Sequence, residues 1–154
     1  MPNRRSFDLA LEKELGRACR YQYPIALILI DIDYFKAYND ICIQQVALTL
    51  NSVVKRNADM AARYGGEEFV LLLPDVSLQN AEKLAAIALQ AIVDLGIPHE
   101  ASKVNPFVTI SAGVSVCIPH LDTSPREIIQ RTDQALYDAK VKGRNCFITN
   151  THTK

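Results

Sequence analysis

Six consecutive apolar residues, Ile25-Ala26-Leu27-Ile28-Leu29-Ile30, run without alternation straight into Asp31. A strand with one wet face would alternate apolar and polar residues, so this run predicts a strand buried on both faces. Such a strand needs covering layers above and below it. Helical periodicity supplies them. Phe7, Leu11, Leu15 and Ala18 share a face over Phe7 to Arg20, and Ile43, Val46, Ala47, Leu50 and Val54 share one over Ile41 to Arg56. Leu78 to Leu95 reads as a long amphipathic helix stopped by Gly96 and Pro98. A last helix opens at Pro125, runs to about Lys142 and is capped by Gly143.

Further strands come from Ala61–Tyr64 and Phe69–Leu73, which flank Gly65-Gly66-Glu67-Glu68 as a hairpin. Phe107–Cys117 and the short Cys146-Phe147-Ile148 complete the set. The expected fold is an α/β sandwich in which helices flank a mixed sheet. With 154 residues, 49% of them apolar, the chain fits a single domain, residues 1–154, with one sizeable core.

Seventeen basic and seventeen acidic residues cancel. A balanced domain has no global field to hold a nucleic-acid duplex or an anionic membrane, so neither is an expected partner, and any phosphate must be bound at a local site. No apolar run reaches membrane-spanning length, and Met1-Pro2-Asn3-Arg4-Arg5 has no apolar core behind it to make a signal peptide. Cys19, Cys42, Cys117 and Cys146 show no CxxC or zinc spacing and read as buried free thiols, which points to a reducing cytoplasm.

Three places bring chemistry to strand and helix ends. In Asp31-Ile32-Asp33-Tyr34-Phe35-Lys36, strand geometry puts Asp31 and Asp33 on one side. Paired carboxylates suit a hard divalent cation such as Mg²⁺, although a strand that ends and meets water has the same pattern. Gly65-Gly66-Glu67-Glu68 is either a plain turn or a close-approach turn that sets two acids opposite Asp31. Lys140 and Arg144 either complement the dipole of the last helix or capture phosphate. Acids for Mg²⁺ and bases for phosphate, taken together, describe a nucleoside triphosphate site.

Arg63-Tyr64-Gly65-Gly66-Glu67-Glu68-Phe69 resembles the signature of the GGDEF family of diguanylate cyclases, in its GGEEF form. Asp31 to Lys36, Val108 to Val114, Asp133 to Lys140 with Gly143-Arg144-Asn145, and Asn3 to Phe7 are similar to further motifs of that family, in order along nearly the whole chain. The resemblance implies a five-stranded sheet with surrounding helices, related to nucleotidyl cyclases and polymerase palms. It implies a transferase that joins two GTP molecules into cyclic di-GMP and pyrophosphate, working in signal transduction as a homodimer with Mg²⁺, Mn²⁺ being an alternative metal. Carried over residue by residue, Asp31, Glu67 and the Ile32 carbonyl would hold the metal. Glu68 would assist the attacking hydroxyl, and Lys36, Gly66, Lys140 and Arg144 would meet the substrate. Asn39 and Asp40 would read the guanine. Arg56-Asn57-Ala58-Asp59 matches the family's Arg-x-x-Asp inhibitory site for its own product, although by spacing alone it is a helix end and polar loop.

The chain departs from the family pattern in two ways. Its usual Asp-x-Leu-Thr-Gly lead-in is absent before Pro2, as in a domain excised from a longer protein with a sensory partner. A segment of about eight residues, an ordinary loop length, is also missing where Asn39 meets Asp40. Either the loop is deleted or the intact protein has residues there. The in-frame resumption of the motif favours the second. Two rivals are a member of the fold that serves as a receptor for GTP or cyclic di-GMP, and a purely structural dimerisation module. The first would normally lose the acidic signature, which this chain keeps in Glu67 and Glu68, and the second would not need Asp31, Glu67, Lys140 and Arg144 together.

Overall fold

The apolar run becomes the middle strand of the molecule. The computed structural model describes residues 1–35, 40–99 and 101–150. Among them the elements follow as α1 (Arg4–Tyr21), β1 (Ile25–Ile32), α2 (Asp40–Val53), β2 (Met60–Arg63), β3 (Glu68–Pro74), α3 (Leu78–Asp94), β4 (Ile110–Cys117), α4 (Pro125–Lys142) and β5 (Phe147–Thr149). The five strands lie in the order β2-β3-β1-β4-β5. β1 is antiparallel to both neighbours, while β4 and β5 run parallel, so the sheet is mixed as expected.

All eight residues of β1 are buried, and its pleat divides the core. Ala26, Ile28 and Ile30 pack with Val46 and Leu50 of α2 and Ala85 and Ile92 of α3. Ile25, Leu27 and Leu29 pack on the other face with Phe7, Leu11 and Leu15 of α1 and Ile128 and Leu136 of α4. The helices form two outer layers because each buries one stripe. Asn3, Ser77 and Ser124 cap α1, α3 and α4 by accepting a backbone N–H three residues on. No helix among the described residues is long and apolar enough to cross a membrane.

Gly113 sets the distance between α4 and the sheet. A Cβ there would lie 2.3 Å from the Leu136 nitrogen and 2.4 Å from the Thr132 carbonyl oxygen. The bare backbone lets α4 settle onto β4, where Ser115 and Thr132 share a buried 2.5 Å hydrogen bond. This close seat brings the end of α4 to the end of β1.

Element ends differ from expectation in two informative places. β4 starts at Ile110 rather than Phe107, because Phe107 forms a bridge with Pro98 and the Val108 N–H donates to Ile97 O. α2 stops at Val53 rather than Arg56, because the Arg56 guanidinium turns to Asp59 and to the Pro74 carbonyl. No disulfide joins cysteines among the described residues; Cys42 is buried, and Cys19, Cys117 and Cys146 are partly exposed.

Candidate active site

β1 delivers Asp31 to a place where three elements meet. Its Cα pairs with Glu68 on β3 and with Ser111 on β4. Its Oδ2 accepts a hydrogen bond from Lys140 Nζ on α4, and its Oδ1 is buried with no partner among the described residues. Burial pushes the Asp31 carboxyl up, Lys140 pulls it down, and Asp33 adds a smaller upward push. Glu67 is tied to the same strand end, since the Ile32 N–H donates to Glu67 O at 3.3 Å. Burial, then the charge of Asp31, raises both Glu67 and Glu68, with Lys140 opposing. The Asp31 charge thus discourages ionisation of both glutamates, and the Lys140 ammonium offsets part of that repulsion.

The glycine turn between β2 and β3 is built differently from the expected close-approach turn. Positive φ angles among the glycines occur at Gly96 and Gly143, not at Gly65 or Gly66. The turn closes through the Tyr64 and Gly65 N–H groups, which donate to Glu68 O at 2.8 and 3.2 Å. Arg63 braces it by donating to Gly65 O at 3.1 Å and Gly66 O at 2.7 Å. A Cβ on Gly65 would sit 3.2 Å from Glu68 Oε2, so this glycine makes room for the carboxylate. A Cβ on Gly66 would meet nothing within 4 Å. Neither packing nor backbone conformation requires glycine there, and the space outside Gly66 is open to a ligand.

Asp33 parts company with Asp31. It shares the face, as strand alternation predicts, but its carboxylate is already engaged. Oδ2 accepts from Thr109 Oγ at 2.7 Å and the Asn145 N–H at 3.0 Å, and Oδ1 from Ser111 Oγ at 2.6 Å. The reading of the two aspartates as a metal pair is therefore corrected. Asp33 staples β1 to β4 and to the turn after α4, leaving Asp31 alone with an open oxygen. The Arg144 guanidinium lies 4.0 Å from Asp33 and 4.5 Å over the Tyr34 ring, in a turn where Arg144 and Asn145 both have positive φ. The signal that could have identified the staple is the Thr109–Ser111 pair. Two hydroxyls at i and i+2 in an apolar strand share one face and need a buried partner.

Arg56 and Asp59 stand apart, at the far end of β3. The Arg56 guanidinium forks onto Asp59 at 2.6 and 3.1 Å and also donates to Pro74 O. The pair lines a groove of about 550 Å³ with Asp75, Asn80, Leu84 and Ile87. Asp40 is the exposed first residue of α2. Lys36 and Asn39, and with Asn39 the join to Asp40, lie outside the described residues.

Residues 1–146 match the profile of the family described as "Diguanylate cyclase, GGDEF domain". The chain belongs to the GGDEF family. Diguanylate cyclase A of Treponema denticola is 40% identical over 129 residues, covering 79% of this chain and 34% of that protein. Response regulator PleD of Caulobacter vibrioides is 36% identical over 156 residues, covering 95% of this chain and 34% of its own. The chain thus spans about a third of the length of these relatives. The PleD alignment is 156 positions long yet takes in 95% of a 154-residue chain, so PleD carries residues that this GGDEF domain lacks. The active GGEEF domain of a Vibrio cholerae diguanylate cyclase superposes with a TM-score of 0.83 at 31% identity, covering 99% of both chains. The coiled coil and GGDEF domain of DgcB from Caulobacter crescentus, in complex with c-di-GMP, superposes at 0.83 with 26% identity, covering 96% of this chain and 80% of that one.

Proposed function

We propose that this domain condenses two GTP molecules into cyclic di-GMP and pyrophosphate, as one half of a metal-dependent homodimer. The observation that carries the reading is the buried Oδ1 of Asp31, without a partner among the described residues, whose charge bears on Glu67 and Glu68 and whose other oxygen accepts from Lys140. Among the described residues no three His, Cys, Asp or Glu side chains converge as a self-sufficient metal cage. That fits Mg²⁺, which is commonly held by one or two carboxylates with the remaining positions filled by substrate phosphates and water. Asp31, Glu67 and the Ile32 carbonyl would hold it, with Mn²⁺ as a substitute. When bound, the metal lowers the pKa of the attacking hydroxyl and neutralises charge on the departing pyrophosphate.

The remaining work falls to side chains. Lys140 offsets the Asp31 charge, and with Arg144 and Lys36 it would meet the triphosphate. Glu68, with its raised carboxyl, is suited to accept the proton of the 3′-hydroxyl nearer neutral pH than an ordinary glutamate. The space outside Gly66 admits the nucleoside, and Asn39 and Asp40 read the guanine. Each 3′-oxygen bonds to the α-phosphorus of the facing GTP as the bond to pyrophosphate breaks, so two domains must meet. The Arg56–Asp59 groove would take cyclic di-GMP. There Arg56 exchanges its internal partner for phosphate and guanine and restrains the dimer.

The direct test supplies GTP and Mg²⁺ and separates the products by chromatography. Cyclic di-GMP should appear with the wild-type chain and vanish with Asp31→Ala and Glu67→Ala. Full activity in either variant overturns the metal assignment. One observation favours a second reading, a receptor for GTP or cyclic di-GMP, namely the shorter stretch relative to PleD. Intact mass decides between them. A mass above that of 154 residues restores the loop and the enzyme, and an equal mass with no product leaves the receptor.

A further inference from the structure

We propose that His99 is a positioning residue that holds the Asp33–Tyr34 turn in shape for the substrate triphosphate, an inference that rests on the functional reading above. Tyr34 follows β1 in the left-handed region, with φ of +52°. An aromatic residue adopts that conformation only when its surroundings over-determine it. The Asp33 side chain is pinned by Thr109, Ser111 and Asn145, and Arg144 lies over the Tyr34 ring. The main chain is pinned as well. His99 Nε2 lies 2.8 Å from Tyr34 O and 3.2 Å from Asp33 O.

Both carbonyl oxygens can only accept, so Nε2 must carry the hydrogen and share it between them. One donor thereby orients two successive peptide planes. In a trans peptide the N–H points opposite to its C=O. Holding both oxygens on His99 therefore turns the Tyr34 and Phe35 N–H groups away from it. Among the described residues neither N–H meets an acceptor. Two adjacent, unpaired backbone donors on one side of a turn form a concavity for an anion. The clamp is itself firm. The His99 N–H donates to Pro106 O at 2.8 Å, beside the Pro98–Phe107 bridge. The pairing that delays the start of β4 is what presents the imidazole.

The test compares wild type, His99→Ala and His99→Gln by calorimetric titration with an α,β-methylene analogue of GTP and Mg²⁺, and by steady-state kinetics. The glutamine amide nitrogen reaches nearly to the position of Nε2. Affinity in His99→Ala should fall about fivefold to tenfold, the size of one lost hydrogen bond, with KM rising in step and kcat nearly unchanged. His99→Gln should recover most of the loss. Unchanged affinity in His99→Ala, or a glutamine variant as weak as alanine, overturns the proposal. If His99→Ala does not fold, His99→Asn replaces it, since the shorter amide cannot reach the carbonyls. A wild-type chain that binds no GTP sinks the functional reading instead. In that case the amide resonances of Tyr34 and Phe35 decide. They should shift in His99→Ala and return in His99→Gln, and unmoved resonances overturn the clamp.

Discussion

Replacing Asp33 by asparagine changes one atom in a fully buried group and separates a staple from a metal ligand. The Asp33 carboxylate accepts three hydrogen bonds, from two hydroxyls and one backbone N–H. An asparagine NH₂ in the place of Oδ2 would face the Asn145 N–H, donor against donor. The amide must therefore put NH₂ in the place of Oδ1, where the Ser111 hydroxyl can reverse and accept. All three contacts survive in number, but each loses its charge assistance, and the nearby Arg144 loses its counter-charge. Hydrogen bonds to charged groups contribute roughly 1 kcal/mol more than neutral ones, so the total cost is about 2–3 kcal/mol.

For a domain of this length that cost lowers the melting temperature by about 4–12 °C. Asp33→Ala, which strands the donors without an acceptor, should cost more, about 4 kcal/mol or beyond. Differential scanning calorimetry reads both. The companion measurement is the Mg²⁺ concentration giving half-maximal cyclase activity, taken well below the melting range. It should not move in Asp33→Asn. A variant that melts with wild type but needs several-fold more Mg²⁺ would refute the staple and restore the paired-aspartate metal site.

Three further outcomes follow from the same geometry. Burial and Asp31 hold Glu68 above its ordinary value of 4.5, so the folded chain binds that proton more tightly than the unfolded chain does. Its contribution to stability is full below the ordinary value and is lost as pH rises through the raised one. Glu68→Gln should therefore melt higher than wild type at about pH 7.5, with the gap closing in acid and shrinking on addition of Mg²⁺. Gly113→Ala forces a Cβ within 2.4 Å of two backbone atoms of α4, so it should lose about 1–3 kcal/mol by denaturant titration and lower turnover as Lys140 is carried away from Asp31. Arg56→Ala should weaken cyclic di-GMP binding by about tenfold or more in a calorimetric titration, and unchanged affinity would retire the groove as a product site.

The layered architecture was legible because its causes are local. The run from Ile25 to Ile30 requires cover on both faces, and Phe7, Leu11 and Leu15 or Val46 and Leu50 sit at the one spacing that supplies it. The end of β1 was half legible. Alternation put Asp31 and Asp33 on one face, but what each aspartate does depends on which residues arrive from more than 70 positions away. Thr109, Ser111 and Asn145 reach Asp33, and Lys140 reaches Asp31. No periodicity near residue 31 carries that register. His99 was invisible for the same reason, since its position depends on the bridge between Pro98 and Phe107.

The glycine turn shows how a motif can be read correctly for an incomplete reason. Glycine pairs usually signal a backbone that must enter the left-handed region, but the positive φ angles at this end of the molecule belong to Tyr34, Gly143, Arg144 and Asn145. Strain is stored in the two turns that carry phosphate-seeking groups, while the Gly65–Gly66 turn has ordinary backbone angles and is held by Arg63. What the glycines contribute is missing volume, filled by the Glu68 carboxylate beside Gly65 and left open outside Gly66. The two kinds of turn suit different tasks. A strained turn pinned by Asp33, His99 and Arg144 can present donors at fixed angles to a bound anion. A relaxed turn cleared of side chains can let a nucleoside approach the backbone without that rigidity.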